Sequence, residues 1–172
     1  MLNGLLQLDV TAYLWLNRLQ KNERFLRFVR LVSHSGDGYL YALLGVVVYF
    51  TTPLHYAEFI KVGLVAFLIE IPCFITLKAL IKRDRPFVQL SNCDFAIQPS
   101  DKFSMPSGHT AAAFLMAGLV SLYYPEFGVL AYGWASLIGA SRVLLGVHYP
   151  SDVLAGAALG SSSVLLSLAL FL

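Results

Sequence analysis

Apolar residues run along this chain in long blocks broken by short polar stretches, and the block lengths predict the architecture. Five blocks, at roughly 38–53, 58–81, 104–124, 129–147 and 152–172, approach or reach the ~20 residues a helix needs to cross a bilayer. The first is on the short side. Residues 5–17 are apolar as well, but the block is short and Asp9 interrupts it, so it predicts an interfacial helix. In residues 21–32, Lys21, Arg24, Arg27 and Arg30 recur every third position, with Phe25, Leu26, Phe28, Val29, Leu31 and Val32 between them. That pattern predicts an amphipathic basic helix lying among the headgroups.

The polar breaks set the topology. Ser33–Gly38 interrupts the helical pattern, and Thr51–Ala57 and Pro125–Gly128 read as turns. Lys78–Asp101 is the only long polar stretch, and a loop of that length in a compact protein is usually functional or mobile. The expected fold is all-α: an integral membrane helical bundle of about five transmembrane helices, six if the N-terminal segment spans, plus an N-terminal amphipathic interfacial helix. Residues 1–172 read as one membrane-embedded domain, with interfacial helices over 1–35 and the bundle over 36–172. With alternating spans, the basic helix, the loop 82–106 and the turn at 147–151 fall on one membrane face. Gly156 and Gly160 form a small-xxx-small face suited to close helix packing.

Composition agrees: 58% of residues are hydrophobic, 13% are charged, and the mean hydropathy is +0.70. The net charge of +2 comes with no basic tail and no nucleic-acid motif, so membrane lipids are the expected surroundings and nucleic acid is not an expected partner. Cys73 lies in an apolar block and Cys93 in the polar loop, depths that argue against a disulfide between them. The N-terminus lacks the pattern of a removable signal peptide.

The chemistry-bearing residues sit at the ends of the apolar blocks. Arg142, His148 and Asp152 fall within eleven residues, between two long apolar segments. Pro150 suits the first position of a helix, where its missing N–H goes unneeded, and Asp152 then lies in the first turn. A carboxylate beside an imidazole fixes its tautomer, leaving the other ring nitrogen free as nucleophile or base. An ordinary capping Asp and an interfacial His is the plainer reading of Pro150 and Asp152 alone. It weakens when all three charged groups are taken together. Lys78-x6-Arg85-Pro86 and Pro106-Ser107-Gly108-His109 fall on the same face. Lys78, Arg85 and Arg142 supply positive charge, and the helix opening at Ser107 and Gly108 offers backbone N–H groups to a phosphate. His148, oriented by Asp152, is the candidate nucleophile on phosphorus, and His109 the candidate general acid for the leaving oxygen. No carboxylate cluster or His/Cys set suggests a metal, so metal-independent hydrolysis without a cofactor is expected. Buried Glu70 is either functional or a packing residue beside Pro72, and His34 and Asp37 read as loop polar groups without assigned chemistry.

These three clusters, in this order and spacing, resemble the three signature motifs of the type-2 phosphatidic acid phosphatase superfamily. The resemblance implies a phosphohistidine mechanism, with His148 as nucleophile, Asp152 as its partner and His109 as acid. It implies Lys78, Arg85, Ser107, Gly108 and Arg142 as phosphate ligands. Lys82, Arg83 and Asp84 are not signature positions and read as solvated loop charges. A lipid phosphate or diphosphate is the implied substrate. Compact bacterial relatives resemble undecaprenyl-diphosphate phosphatases or phosphatidylglycerophosphate phosphatases, and the short chain favours the first; phosphatidic acid is a further alternative. The vanadate-dependent haloperoxidases resemble the same site but are larger and soluble. A transport or structural membrane protein is the alternative from another class. The expected location is the cell (inner) membrane. Eleven of the twelve Lys and Arg fall on the site's face, which by the positive-inside rule points to the cytoplasm. The resemblance implies a site facing the periplasm or exterior, and that orientation is adopted. Oligomeric state is not legible.

Overall fold

Each apolar block becomes a helix, with ends where the sequence supplies punctuation. The architecture is that of a computed structural model, which describes residues 2–51, 53–90, 93 and 95–171. Thr52 in the expected turn 51–57, and Ser91, Asn92 and Asp94 in the expected loop, lie outside the described residues. Helix α1 (Leu2–Asn17) is followed by a 3-10 turn and then by α2 (Glu23–His34). The Asn22 side chain caps α2 by accepting from the N–H groups of Arg24 and Phe25. Next come α3 (Tyr39–Thr51), α4 (Pro53–Ile81), the short α5 (Pro86–Gln89), α6 (Gly108–Tyr123), α7 (Gly128–Leu144) and α8 (Pro150–Ala169). No strand occurs among the described residues.

Among the described residues, three stretches are long and apolar enough to cross a membrane alone: Tyr56–Gln89, Pro125–Leu144 and Pro150–Ala169. Helices α2 and α3 meet at 55° and qualify only together, as one broken span. Of the five expected spans, α3 with 13 residues and α6 with 16 are therefore short of the length. Helix α6 opens only at Gly108, because Pro106 and the extended Ser107 precede it. It is the most enclosed helix, burying Ala111, Ala113, Leu115, Met116, Ala117 and Leu119 against α4, α7 and α8. The outer faces carry exposed apolar side chains, among them Leu64, Leu68 and Leu80 of α4, Val129 and Leu130 of α7, and Leu165 of α8. Such a perimeter suits a hydrocarbon environment, and the protein is an integral membrane helical bundle.

The glycines of α8 set how close α6 can come. A Cβ at Gly156 would lie 2.4 Å from the Ser107 carbonyl oxygen, and one at Gly160 would lie 2.0 Å from that of Ala111. The two backbones thus touch at the positions the small-residue spacing predicts. The expected amphipathic helix is α2, which buries Leu26, Val29 and Val32 and leaves Arg24 and Arg27 exposed. Helix α1 does more than lie on the interface. Its Tyr13 is fully buried and packs edge-on against Tyr149, with ring centroids 5.5 Å apart.

Candidate active site

The site is built where α7 reverses into α8. Gly146 ends α7 in the left-handed region, at φ +80°, where a residue with a Cβ would be strained. The N–H groups of Leu145 and Gly146 donate to the carbonyls of Ser141 and Val143 at 2.8 and 3.0 Å. The chain bends at Val147, passes through His148 to an extended Tyr149, and reaches Pro150, which starts α8 as its composition predicts. Asp152 accepts the Tyr149 N–H at 2.7 Å through Oδ2, fixing the carboxylate below the first turn of α8.

His148 is 2% exposed. Its Nδ1 lies 3.6 Å from Asp152 Oδ2 and has no hydrogen-bond partner among the described residues. Its Nε2 faces Arg85 Nη1 at 3.4 Å. Burial pushes the His148 pKa down to about 4, against the pull of Asp152 and reinforced by the charges of Arg142 and Arg85. At neutral pH the ring is therefore uncharged and keeps a lone pair, as a nucleophile requires.

Arg85 and Arg142 bear on this ring, and Lys78 on its partner Asp152. Arg85 is buried and donates to the Val147 carbonyl at 2.7 Å, to the Asp101 carbonyl at 3.1 Å and to Asp101 Oδ1 at 2.7 Å. Lys78 donates to Asp101 Oδ2 at 2.7 Å. Burial alone would push the Asp101 carboxyl up, but the hydrogen bonds and charges of Lys78 and Arg85 hold it below the ordinary carboxylate value. Arg142 donates to Ser33 Oγ at 2.6 Å, while its buried Nε has no partner among the described residues. An unsatisfied guanidinium N–H is costly to bury, and it suits an arriving anion.

The start of α6 completes the arrangement. Ser107 N–H donates to the Asp152 carbonyl at 3.0 Å, and Ser107 Oγ accepts from Thr110 Oγ1 at 2.9 Å. That N–H is thus engaged by α8, and the helix N-terminal donors left for an anion begin at Gly108 and His109. His109 Nε2 contacts Asp37 Oδ1 at 2.7 Å, and Asp37 Oδ2 contacts His34 Nδ1 at 2.7 Å. A cavity of about 660 Å³ opens over these groups, with Gly108, His109, Arg142 and Asp37 in its lining and Phe67 and Tyr41 among its less polar walls.

Of the eight residues singled out from the sequence, Gly108, His109 and Arg142 line the cavity, while Lys78, Arg85, Ser107, His148 and Asp152 form a connected network outside its lining. Sequence reasoning missed others. Asp37 and His34 were left without chemistry, yet they brace His109. Asp101 bridges Lys78 and Arg85. Arg83 is a correction. It was expected to be a solvated loop charge, as exposed Lys82 and Asp84 are, but its guanidinium is turned inward. It donates to Asp152 Oδ1 at 2.8 Å, to Ser151 Oγ at 2.6 Å and to Asp9, and lies 4.0 Å over the Tyr149 ring. The available signal was that residues 78–86 lead directly out of a membrane helix, where an unpaired charge is expensive. Among the described residues, no three His, Cys, Asp or Glu side chains are grouped as a metal ion would need.

Residues 58–172 match the PAP2 superfamily, and the chain belongs to that family. It is 32% identical over 161 residues to the Bacillus licheniformis protein named bacitracin transport permease protein BcrC, a match covering 92% of this chain and 78% of that one. It is 35% identical over 141 residues to the decaprenylphosphoryl-5-phosphoribose phosphatase of Mycobacterium tuberculosis, covering 77% of this chain and 73% of that one. Among solved structures, Aquifex aeolicus LpxE superposes with a TM-score of 0.83 at 27% identity, covering 94% of this chain and 95% of that one. The protein is a membrane enzyme of the lipid phosphate phosphatase class.

Proposed function

We propose that the protein hydrolyses undecaprenyl diphosphate to undecaprenyl phosphate through a phosphohistidine on His148, without a metal ion. The observation behind this reading is the uncharged His148 ring beside Arg85 and Asp152, with Arg142 and His109 in the cavity lining above. His148 Nε2 attacks the terminal phosphorus, and the bond to the bridging oxygen breaks. The departing lipid monophosphate takes a proton from His109 where it needs one. Lys78, Arg85 and Arg142, with the Gly108 end of α6, hold the equatorial oxygens as charge develops on them. Water then attacks the phosphohistidine, the P–N bond breaks, and inorganic phosphate leaves. Ser107 contributes its hydroxyl to the same oxygens. The whole chain, 1–172, works as one domain.

Phosphatidylglycerophosphate and phosphatidic acid are the alternative substrates, since the phosphate-facing residues read the phosphoryl group and not the lipid. The printed name of the Bacillus licheniformis relative speaks of transport, the other class of function. Against transport stands the site itself: a permease needs no uncharged imidazole held beside an anion site. We place the protein in the cell (inner) membrane with the site facing the periplasm or exterior. Labelling of Ser100→Cys, in a background lacking Cys73 and Cys93, by an impermeant maleimide in intact cells tests this; labelling only after lysis reverses the orientation.

The deciding experiment is phosphate release by detergent-purified protein in the presence of a chelator, with the three lipids compared and His148→Asn as control. Release by the parent alone supports the mechanism, and the fastest lipid names the substrate. Full activity in His148→Asn removes the nucleophile, and abolition by the chelator removes the metal-independent route.

A further inference from the structure

Asp152 is fully buried and ionisable, and it needs more than a neutral imidazole 3.6 Å away to remain charged there. Its second oxygen meets a guanidinium: Arg83 Nη1 donates to Asp152 Oδ1 at 2.8 Å. The same guanidinium donates through Nη2 to Asp9 of α1, so it sits between two carboxylates. Asp9 is itself buried and accepts from the Ser151 N–H at 2.9 Å and from the Ser151 hydroxyl. The stem of Arg83 comes from the exit of α4, Asp9 from α1, and Ser151 and Asp152 from the first turn of α8. Neither Arg83 nor Asp9 faces the phosphate cavity, and Asp9 lies outside the matched segment 58–172.

We propose that Arg83 and Asp9 are positioning residues for the reaction, a charge clamp that holds Asp152 aimed at His148 and makes α1 part of the working enzyme. The inference rests on His148 as nucleophile. Arg83 supplies the positive charge that a buried carboxylate needs, and Asp9 tempers that charge and fixes the guanidinium plane across both carboxylates. The charged groups facing the His148–Asp152 pair are Lys78, Arg83 and Arg85 from α4 and its exit, Arg142 from α7 and, through Arg83, Asp9 from α1. Removing Arg83 leaves the negative charge of Asp152 unbalanced. His148 then protonates more readily, which inactivates the pair from the acid side. Removing the charge of Asp9 does the opposite, because Arg83 then bears on the pair untempered.

The two variants therefore shift the acid limb of the pH–rate profile in opposite directions. Arg83→Gln should lower kcat about 10- to 100-fold with KM within about twofold, and move the acid limb up by about one pH unit. Asp9→Asn should move it down by a smaller amount, and Arg83→Lys should restore part of the lost kcat by returning the charge without the planar fork. The assay is initial-rate phosphate release in detergent from about pH 2.5 to 8, so that the parent limb and a downward shift both fall inside the window, with thermal unfolding of each variant alongside. Limbs that stay in place, or move the same way, while the unfolding temperature falls would make Arg83 a packing residue and overturn the clamp. If Arg83→Gln does not fold, Asp9→Asn still tests the clamp beside Arg83→Lys: a limb moved down in Asp9→Asn but not in Arg83→Lys supports it, and a limb that moves down in both, or in neither, overturns it. Turnover surviving in His148→Asn would defeat the nucleophile assignment itself, an outcome distinct from unmoved limbs.

Discussion

Replacing Gly156 by alanine should damage catalysis more than stability. Gly156 lies in α8 one turn beyond Asp152, against the opening of α6. An added Cβ would sit 2.4 Å from the Ser107 carbonyl oxygen and 3.3 Å from the Ala111 nitrogen, while ordinary contact begins at 3.4 Å. About 1 Å must be made up, and the obstacle is backbone, which cannot swing aside as a side chain can. The overpacking should cost about 1–3 kcal/mol. The displaced segment is the one whose Ser107 N–H bonds the Asp152 carbonyl, so Gly108 and His109 move relative to His148. A misplacement of ~1 Å in a catalytic arrangement costs on the order of 100-fold in rate. The control is Gly133→Ala, where an added Cβ meets nothing within 4 Å and the helix should gain up to ~1 kcal/mol. Phosphate release at saturating substrate and thermal unfolding in detergent would be measured for both. Turnover of Gly156→Ala within about threefold of the parent, at any unfolding temperature, would refute the claim that this contact sets the register of the site.

The remaining expectations concern charge. Because His148 is held down to about 4, the parent's rate should show no acid limb above about pH 5 and should fall below about 4, tenfold per unit, as the ring protonates; an acid limb near pH 6.5 would contradict the buried, uncharged ring. Asp101 competes with an incoming anion for Lys78 and Arg85, so Asp101→Asn should strengthen inhibition by inorganic phosphate by about fivefold, ~1 kcal/mol; weaker inhibition would make Asp101 an organiser of the cations instead. Asp37 orients His109, so Asp37→Asn should slow turnover of phosphatidic acid about tenfold yet leave p-nitrophenyl phosphate nearly unchanged, since that leaving group needs little protonation. An equal loss on both substrates would place Asp37 in binding or folding.

Much of this protein was legible in one dimension because its environment is severe. Lipid requires long apolar helices, so block lengths alone predict α4, α7 and α8. The cost of charge near the membrane singles out Lys78, Arg85, Arg142 and His148 before any contact is known. Short elements read less well. Helices α3 and α6 fall below spanning length, and nothing local says that α6 is the central one; that follows from how closely Gly156 and Gly160 of α8 let its backbone approach.

Apolar block lengths by themselves determined the helical membrane class, and the motifs at the block ends picked out eight residues that the fold brings near one another, three of them in the cavity lining. Only the tertiary structure decided how those groups are held. Asp9, Asp37, Asp101 and Arg83 are unremarkable charges in the sequence, and although Asp37 meets His34 locally, its contact with His109 and the partners of the other three arise only when segments remote along the chain are packed together. Arg83 shows the difference most plainly: in sequence it is one of three adjacent loop charges, and folding alone turns it inward to lie between a carboxylate of α1 and one of α8. Which way a charged side chain turns depends on the partners waiting in three dimensions, and local spacing holds no record of them.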